Sequence, residues 1–303
     1  MKKIIKPPAL KESDRVAVIA PAGLVDREVI EPAIEKLESW GLEVERGDAL
    51  YERFGVFAGA DARRLADLQK ALDDPGIRAI ICARGGYGMS RIIRSVDFRA
   101  FRKNPKWVAG FSDISVLHLF INCNLGISTL HAEMPLNFHK NEENSATLVT
   151  LKKSLFEGPQ DYDWSTGPKR DGTAEGILTG GNLSLISNLL GTEIKEYLKG
   201  KILFIEENGE YFYSLDRMIT GLRLAGVFEK IKGLIIGGLS NIKESEVRYS
   251  SGADDIIMES VSEYAFPVAF GFPAGHIKDN RALVLGAGIN LEVSGGKAVL
   301  RYL

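Results

Sequence analysis

The sequence predicts an α/β protein with two domains: an N-terminal domain built on a parallel sheet, and a smaller C-terminal domain of mixed α+β structure. Three observations support this prediction. They are the length of 303 residues, the alternation of short apolar runs with helical patterns in the first half, and late strand patterns with no helix between them. At roughly 150 residues per domain, the length fits two domains. Strands separated by helices are typical of βαβ units, whose strands pair in parallel.

Five apolar runs in the first half are predicted to form buried strands: residues 15–20, 42–44, 79–82, 106–111 and 127–130. Helical spacing of apolar residues runs from Val29 to Trp40 and stops at Gly41, with Pro32 favouring a helix start at that residue. A second amphipathic helix is predicted from Asp61 to Leu72, because a Pro-Gly stop signal follows it.

A polar stretch with glycine and proline but no periodicity separates the two halves. The sequence therefore predicts an N-terminal domain over 1–160, a linker over 161–174 and a C-terminal domain over 175–303. In the second half, strands are expected at 202–205, 234–236, 268–272 and twice within 283–302, and helices at 181–190, 214–228 and 253–264.

Composition excludes several classes of function. Lys plus Arg is 38 and Asp plus Glu is 40, so the net charge of −2 lacks the basic excess of a nucleic-acid binder. Two cysteines cannot form a disulfide framework, and no apolar run is long enough for a membrane span. The first residues lack the apolar core of a secretion signal, so a cytoplasmic location is expected. No metal motif occurs, and we expect neither metal nor cofactor.

A glycine-rich turn, Arg84-Gly85-Gly86-Tyr87-Gly88, follows the predicted strand 79–82. Glycines allow close approach of a ligand to the backbone and leave N–H groups available as donors. The phosphate-loop and dinucleotide fingerprints are absent. Two interpretations stay open: a ligand-binding turn and a structural strand-to-helix turn.

Ser112 lies where strand 106–111 meets a helical pattern, within Gly110-Phe111-Ser112-Asp113. A serine on such a turn is lifted clear of the sheet, near helix N–H groups that can stabilise an oxyanion. The pattern differs from the GxSxG of ordinary α/β-hydrolases. The alternative is a simple helix N-cap, which serine and aspartate both favour.

A nucleophilic serine needs a base and an orienting carboxylate. Of the four histidines, His276 follows a strand end in a loop, His131 follows a strand and could line a cleft, His118 lies in an apolar helical pattern, and His139 lies in polar loop sequence. For the carboxylate, Glu206 directly follows the apolar strand 202–205. It thus lies at the carboxyl end of a strand, where sites in α/β sheets usually form. Glu207 and Glu210 are expected to be surface acids.

Together these motifs resemble the L,D-carboxypeptidases, a serine peptidase family that includes the microcin C immunity peptidases. The similarity runs in register over nearly the whole chain, through Ala20-Pro21-Ala22-Gly23, Phe57-Ala58-Gly59 with Arg63-Arg64, Arg84 to Gly88, Pro105-Lys106-Trp107, Gly110 to Asp113, Gly180 to Ser184, Leu203 to Glu207 with Asp216-Arg217, and Gly275-His276. Each motif alone is weak, and their order makes the resemblance specific.

The resemblance implies Ser112 as nucleophile, His276 as base and Glu206 as the third member of the triad, with an active site between the two domains. It also implies an oxyanion hole of backbone N–H groups at Asp113 and Gly86. The family's His-Gly after the next strand is His131-Ala132 here, which leaves the role of His131 open. Arg84, Gly85 and His131 are the candidate substrate contacts. By its position Arg84 could hold a carboxylate, and a structural ion pair is the equal alternative.

The resemblance further implies a homodimer that acts in peptidoglycan recycling. The expected reaction is release of the terminal D-alanine from a murein tetrapeptide, at the bond to the L-centre of a diamino acid. One alternative is an immunity-type peptidase that cleaves an aminoacyl-nucleotide amide. Another, from a different class, is a non-catalytic two-domain module that binds small peptides.

Overall fold

The computed structural model describes residues 4–303. Its strands are β1 (Arg15–Ile19), β2 (Glu43–Arg46), β3 (Ile77–Cys82), β4 (Trp107–Gly110), β5 (Thr129–His131), β6 (Tyr162–Ser165), β7 (Lys169–Arg170), β8 (Gly172–Asn182), β9 (Lys201–Asn208), β10 (Gly233–Ser240), β11 (Val268–Ala269), β12 (Leu283–Leu285), β13 (Gly288–Ser294) and β14 (Lys297–Tyr302). Its α-helices are α1 (Arg27–Glu38), α2 (Asp61–Asp73), α3 (Met89–Ile92), α4 (Arg99–Lys103), α5 (Ser115–Leu125), α6 (Ala146–Phe156), α7 (Leu183–Asn188), α8 (Ile194–Tyr197), α9 (Phe212–Leu224) and α10 (Ala253–Ser260). Short 3₁₀ helices lie at Ile93–Ser95, Ser112–Ile114 and Pro135–Lys140.

The chain divides into two units. The N-terminal unit comprises the described residues up to Pro159 together with Lys278–Val284, and the C-terminal unit comprises Gln160–Ile277 and Leu285–Leu303. Two α/β units, each with its own sheet, confirm the predicted fold class.

The sheet of the N-terminal unit has six strands in the order β12-β5-β4-β3-β1-β2. From β2 to β5 all neighbouring strands pair in parallel, as the alternation of strands and helices predicts. After β1 the chain goes to β2 on one side and then to β3 on the other, so the order reverses between β1 and β3. In open sheets of this kind ligands bind beyond the carboxyl ends of the strands at such a reversal. The turns at 20–26 and 83–88 lie there.

Pro32 does not start helix α1, contrary to the sequence-based prediction. The helix begins at Arg27, so Pro32 lies within it. An interior proline removes one backbone hydrogen bond and costs about 3 kcal/mol. Three fully buried side chains of the same helix, Ile30, Ile34 and Leu37, each stabilise the fold by roughly 1.5–3 kcal/mol and offset that cost.

The sheet of the C-terminal unit has eight strands in the order β6-β14-β13-β8-β9-β10-β11-β7. The four from β8 to β11 pair in parallel, and the flanking strands pair antiparallel. This mixture agrees with the predicted α+β character. The carboxyl end of β9 carries Glu206 and Glu207.

Residues 161–174, predicted as a linker, instead form β6, β7 and the start of β8. In β6, Tyr162 and Trp164 alternate with exposed residues, and both rings pack edge-on against Phe272. The Trp164 indole N–H donates to the Phe270 carbonyl at 2.9 Å. The strand is only four residues long, so its period-two pattern was hidden among polar neighbours.

Residues 278–284 were expected within a continuous C-terminal domain, but they belong to the N-terminal unit. There β12 forms the edge of the six-stranded sheet, next to β5. The sequence shows an apolar strand at this position but contains no signal for the sheet it joins.

Candidate active site

Ser112 lies directly after β4 and begins the 3₁₀ helix that leads into α5. Its backbone φ is +63°, a left-handed conformation that costs a non-glycine residue roughly 1–2 kcal/mol. Such strain persists where surrounding structure imposes it, and it is frequent at functional sites. The predicted strand-to-helix turn is therefore present. Phe111 rather than Ser112 occupies the N-cap position of the 3₁₀ helix.

Gly85 packs directly against the serine. A Cβ at this position would lie 2.7 Å from Ser112 Cβ, 3.0 Å from Ser112 Oγ and 3.2 Å from the Asp113 backbone nitrogen. The Gly85 backbone thus packs closely against the hydroxyl and that nitrogen, an approach that only a residue without a side chain allows. The Ser112 hydroxyl and the Asp113 backbone nitrogen therefore lie on the same side of the turn, against Gly85.

The carboxyl group of Asp113 holds the glycine turn in place. It is buried and accepts a hydrogen bond from the Met89 N–H at 2.7 Å. Burial raises its pKa to about 6. Gly86, the second candidate donor, is exposed and has a φ of +94°, so it occupies a conformation that favours glycine.

Arg64 joins three turns of the N-terminal unit and is fully buried. Its guanidinium donates to the carbonyls of Pro21 at 2.6 Å, Gly88 at 3.1 Å and Gly59 at 3.3 Å, and it pairs with Asp61. Sequence reasoning noted this arginine only as part of a motif. An arginine on the core side of the predicted amphipathic helix was the signal that could have revealed it.

Arg84, the candidate for a substrate carboxylate, is partly buried, and its Nη1 donates to the Leu24 carbonyl at 2.7 Å. Within residues 4–303 it forms no ion pair with a carboxylate. The bond to Leu24 fixes one edge of the guanidinium, and the remaining donors stay available for a ligand.

His131 is fully buried, and its ring lies 5.7 Å from that of Phe111. Contact with a substrate would require the ring to become exposed. The arrangement favours a packing role below the Ser112 turn over the cleft position considered from sequence.

His118 supports the same turn from α5. As expected for an apolar helix, its side chain is packed in the interior, and Nε2 donates to the Gly110 carbonyl at 2.8 Å. Complete burial lowers its pKa from 6.5 to about 4. The neutral imidazole thus ties the helix to the end of β4, two residues before Ser112.

This depressed pKa predicts a loss of stability in acid. Between pH 6.5 and pH 4 the unfolded chain binds a proton that the folded chain excludes, so stability falls as the pH falls through this window. We expect His118→Gln, which keeps a donor for Gly110 but does not titrate, to reduce this loss by about 2 kcal/mol between pH 7 and pH 5. Urea unfolding at both pH values measures the difference. Equal losses for the variant and the parent protein would contradict the assignment.

Glu206 and His276 form a hydrogen-bonded pair in the C-terminal unit. Glu206 is fully buried in β9, and its Oε2 lies 2.7 Å from His276 Nδ1 and 3.3 Å from the His276 backbone nitrogen. Gly275 allows this approach, because a Cβ there would lie 2.8 Å from both Cβ and Oε2 of Glu206 and its φ is +111°. A carboxylate that accepts from Nδ1–H favours the tautomer in which Nε2 carries no proton and can accept one.

Glu207 is buried, so its predicted role as a surface acid is wrong. Its carboxyl group accepts hydrogen bonds from Ser184 N at 2.7 Å, Asn208 N at 2.8 Å and Asn182 Nδ2 at 3.1 Å, and burial raises its pKa. Three donors compensate for the loss of water around the group. Glu207 thus fixes the junction of β8 and α7 beside the β9 strand end.

Residues 16–132 match the family model described as the LD-carboxypeptidase N-terminal domain, and residues 175–291 match the LD-carboxypeptidase C-terminal domain. The chain belongs to the LD-carboxypeptidase family. The first match contains Ser112, and the second contains Glu206 and His276.

Relatives of the same family share almost the whole chain. A probable murein peptide carboxypeptidase of Bacillus subtilis is 34% identical over 97% of this chain and 94% of its own length. The crystal structure of a muramoyltetrapeptide carboxypeptidase from Oxalobacter formigenes has 29% identity and a TM-score of 0.87, covering 95% of this chain and 98% of the other. This member of the LD-carboxypeptidase family is accordingly a serine carboxypeptidase, a hydrolase of peptide bonds.

The microcin C7 self-immunity protein MccF, solved in complex with aspartyl sulfamoyl adenosine, has the same fold. Its TM-score is 0.86 at 19% identity, over 98% of both chains.

Among residues 4–303 of this LD-carboxypeptidase family member, no cluster of three His, Cys, Asp or Glu side chains could hold a metal ion. Over the same residues, every helix is too short or too polar to cross a bilayer.

Proposed function

We propose that this protein is an L,D-carboxypeptidase that releases the terminal D-alanine from murein tetrapeptides, using Ser112, His276 and Glu206. The observation that carries the proposal is the hydrogen bond between His276 Nδ1 and the buried Glu206 carboxyl group. It is supported by the strained turn that carries Ser112 and by the close packing of Gly85 against that serine. The names of the similar proteins supply the substrate class.

In the proposed reaction, Ser112 Oγ attacks the carbonyl carbon of the diamino acid while His276 Nε2 takes the hydroxyl proton. Glu206 holds the imidazole tautomer and stabilises its positive charge. The Asp113 and Gly86 N–H groups bind the developing oxyanion. His276 then passes the proton to the departing D-alanine amine, which leaves an acyl-enzyme on Ser112. In the second half, His276 takes a proton from the attacking water and returns it to Ser112 Oγ as the peptide acid is released.

Two further parts of the proposal concern the substrate and the assembly. Arg84 binds the terminal carboxylate, since it has no carboxylate partner within the described chain and an arginine can grip that group with two hydrogen bonds. Gly85, packed against Ser112, fixes the backbone beside the proposed nucleophile. We also propose that the protein acts in the cytoplasm as a homodimer and needs no cofactor.

The test is mass spectrometry of defined peptides after incubation with the purified protein. We expect release of alanine from L-alanyl-γ-D-glutamyl tetrapeptides with lysine or meso-diaminopimelate at the third position, and no release when the last residue is L-alanine. The matched L-alanine peptide controls for a general carboxypeptidase.

Three outcomes would contradict the proposal. Turnover of an aminoacyl sulfamoyl adenylate without turnover of the tetrapeptides would indicate an immunity-type peptidase. Binding of the tetrapeptide by calorimetry without cleavage would indicate a binding module. Equal release of L- and D-alanine would indicate a different specificity.

A further inference from the structure

Residues 278–282, here called the strap, begin two positions after His276. They belong to the N-terminal unit, whereas His276 belongs to the C-terminal unit. The polypeptide that carries the proposed base therefore continues directly into contacts with the unit that carries Ser112. None of these strap residues takes part in the chemistry proposed above.

Thr147, in the first turn of α6, holds the strap through both functions of its hydroxyl. It donates to the Lys278 carbonyl at 3.3 Å and accepts from the Asn280 N–H at 3.0 Å. Thr147 is 1% exposed and Asn280 is fully buried. Thr150, one turn later, accepts from the Ala282 N–H at 3.1 Å. Two threonines of one helix thus hydrogen-bond to the strap backbone at residues 278, 280 and 282.

Glu133, in the loop after β5, is a buried neighbour of the strap residue Asn280. Its buried carboxyl group accepts from the Met134 N–H at 3.0 Å and from Asn137 Nδ2 at 2.9 Å. Burial raises the pKa of this carboxyl group, while the neighbouring Asn280 side chain acts to lower it. Glu133 follows β5, and β5 pairs with β4, the strand that precedes Ser112. Asn280 of the strap thus lies near the sheet that carries Ser112.

On its other side, His276 is fixed to β9 by the hydrogen bonds to Glu206 and the close approach of Gly275. His276 is therefore held by its hydrogen bonds to Glu206, and the segment that carries it is held two residues later at the strap. Only Ile277 separates His276 from the first strap residue.

We propose that Thr147 is a positioning residue, which acts through the strap to set where the His276 imidazole stands when Ser112 reacts. This inference rests on the proposed function. A displacement of about 1 Å in a reacting group can cost ~10²-fold in rate without weakening substrate binding. Loosening the strap is thus expected to lower kcat and to leave KM nearly unchanged.

Thr147→Val has the same shape as threonine but cannot donate or accept, and Thr147→Ser keeps the hydroxyl. With the tetrapeptide substrate we expect kcat to fall about 10-fold or more for Thr147→Val, with KM within about twofold of wild type. Thr147→Ser should keep kcat within about threefold. Thr220→Val is the matched control, because this hydroxyl donates to Asp216 at 3.3 Å within α9 and does not contact the strap.

The inference is overturned if folded Thr147→Val keeps the wild-type kcat, if its KM rises in proportion to the loss, or if Thr220→Val loses as much. Circular dichroism and thermal denaturation establish that each variant is folded. If Thr147→Val does not fold, Thr150→Val replaces it, with the same expected pattern and the same contradicting results. An inactive wild-type protein would refute the proposed function instead, so the two failures are distinguishable.

Discussion

Replacing Ser112 with alanine is expected to lower the turnover of murein tetrapeptides by about 10⁴–10⁶-fold, as loss of the nucleophile does in other serine triads. The alanine keeps the backbone conformation and removes only the attacking oxygen. Release of D-alanine, followed by mass spectrometry, measures the effect. A variant that releases D-alanine at the wild-type rate would remove Ser112 from the mechanism.

A glycine at the same position separates the chemical role of Ser112 from its structural cost. Because φ is +63°, Ser112→Gly relieves strain worth roughly 1 kcal/mol or more, partly offset by the larger entropy of the unfolded glycine chain. We expect this variant to be as inactive as Ser112→Ala and at least as stable in urea unfolding. Lower stability than Ser112→Ala would show that the turn is not strained.

Replacing Gly85 with alanine is expected to lower kcat by about 10²-fold or more, the range found when an oxyanion donor is lost. The added methyl group would lie 2.7 Å from Ser112 Cβ and 3.2 Å from the Asp113 nitrogen, so the turn that carries Ser112 must shift. Steady-state kinetics with the tetrapeptide measure the loss.

Gly191→Ala is the matched control for Gly85→Ala, because a methyl group at Gly191 meets no atom within 4 Å. Neither glycine has a positive φ, so the two substitutions differ in surrounding space rather than in backbone strain. We expect wild-type kinetics for the control. Equal kinetics for both variants would contradict the view that the close packing of Gly85 on Ser112 holds the serine in its reactive position.

Local sequence predicted the parts of the site that depend on neighbouring residues. Ser112 follows a buried strand and precedes a helix, and that order alone forces a sharp turn. Glu206 ends an apolar strand, and His276 follows another. The resemblance to a family was needed to combine them, because no local pattern tells which histidine meets which carboxylate.

Long-range contacts were beyond the reach of the sequence. Glu207 was expected at the surface because its identity is polar, yet three donors from β8, α7 and β9 make its burial favourable. The packing of Gly85 on Ser112 joins residues 27 positions apart, and the strap joins Asn280 to Thr147, 133 positions earlier. Residues 161–174 resemble a linker in sequence, because β6 becomes a strand only by pairing with β14, which lies far along the chain.

Labelling with a serine-directed fluorophosphonate tests the proposed triad most directly. The reagent forms a covalent bond to an activated serine oxygen and releases fluoride, and digestion with mass spectrometry locates the adduct. We predict a single adduct on Ser112 in the wild-type protein, formed at least about 10²-fold more slowly in His276→Ala and Glu206→Gln, by analogy with other serine triads. An adduct elsewhere, or labelling of Ser112 at the wild-type rate in His276→Ala, would contradict the proposed role of these three residues.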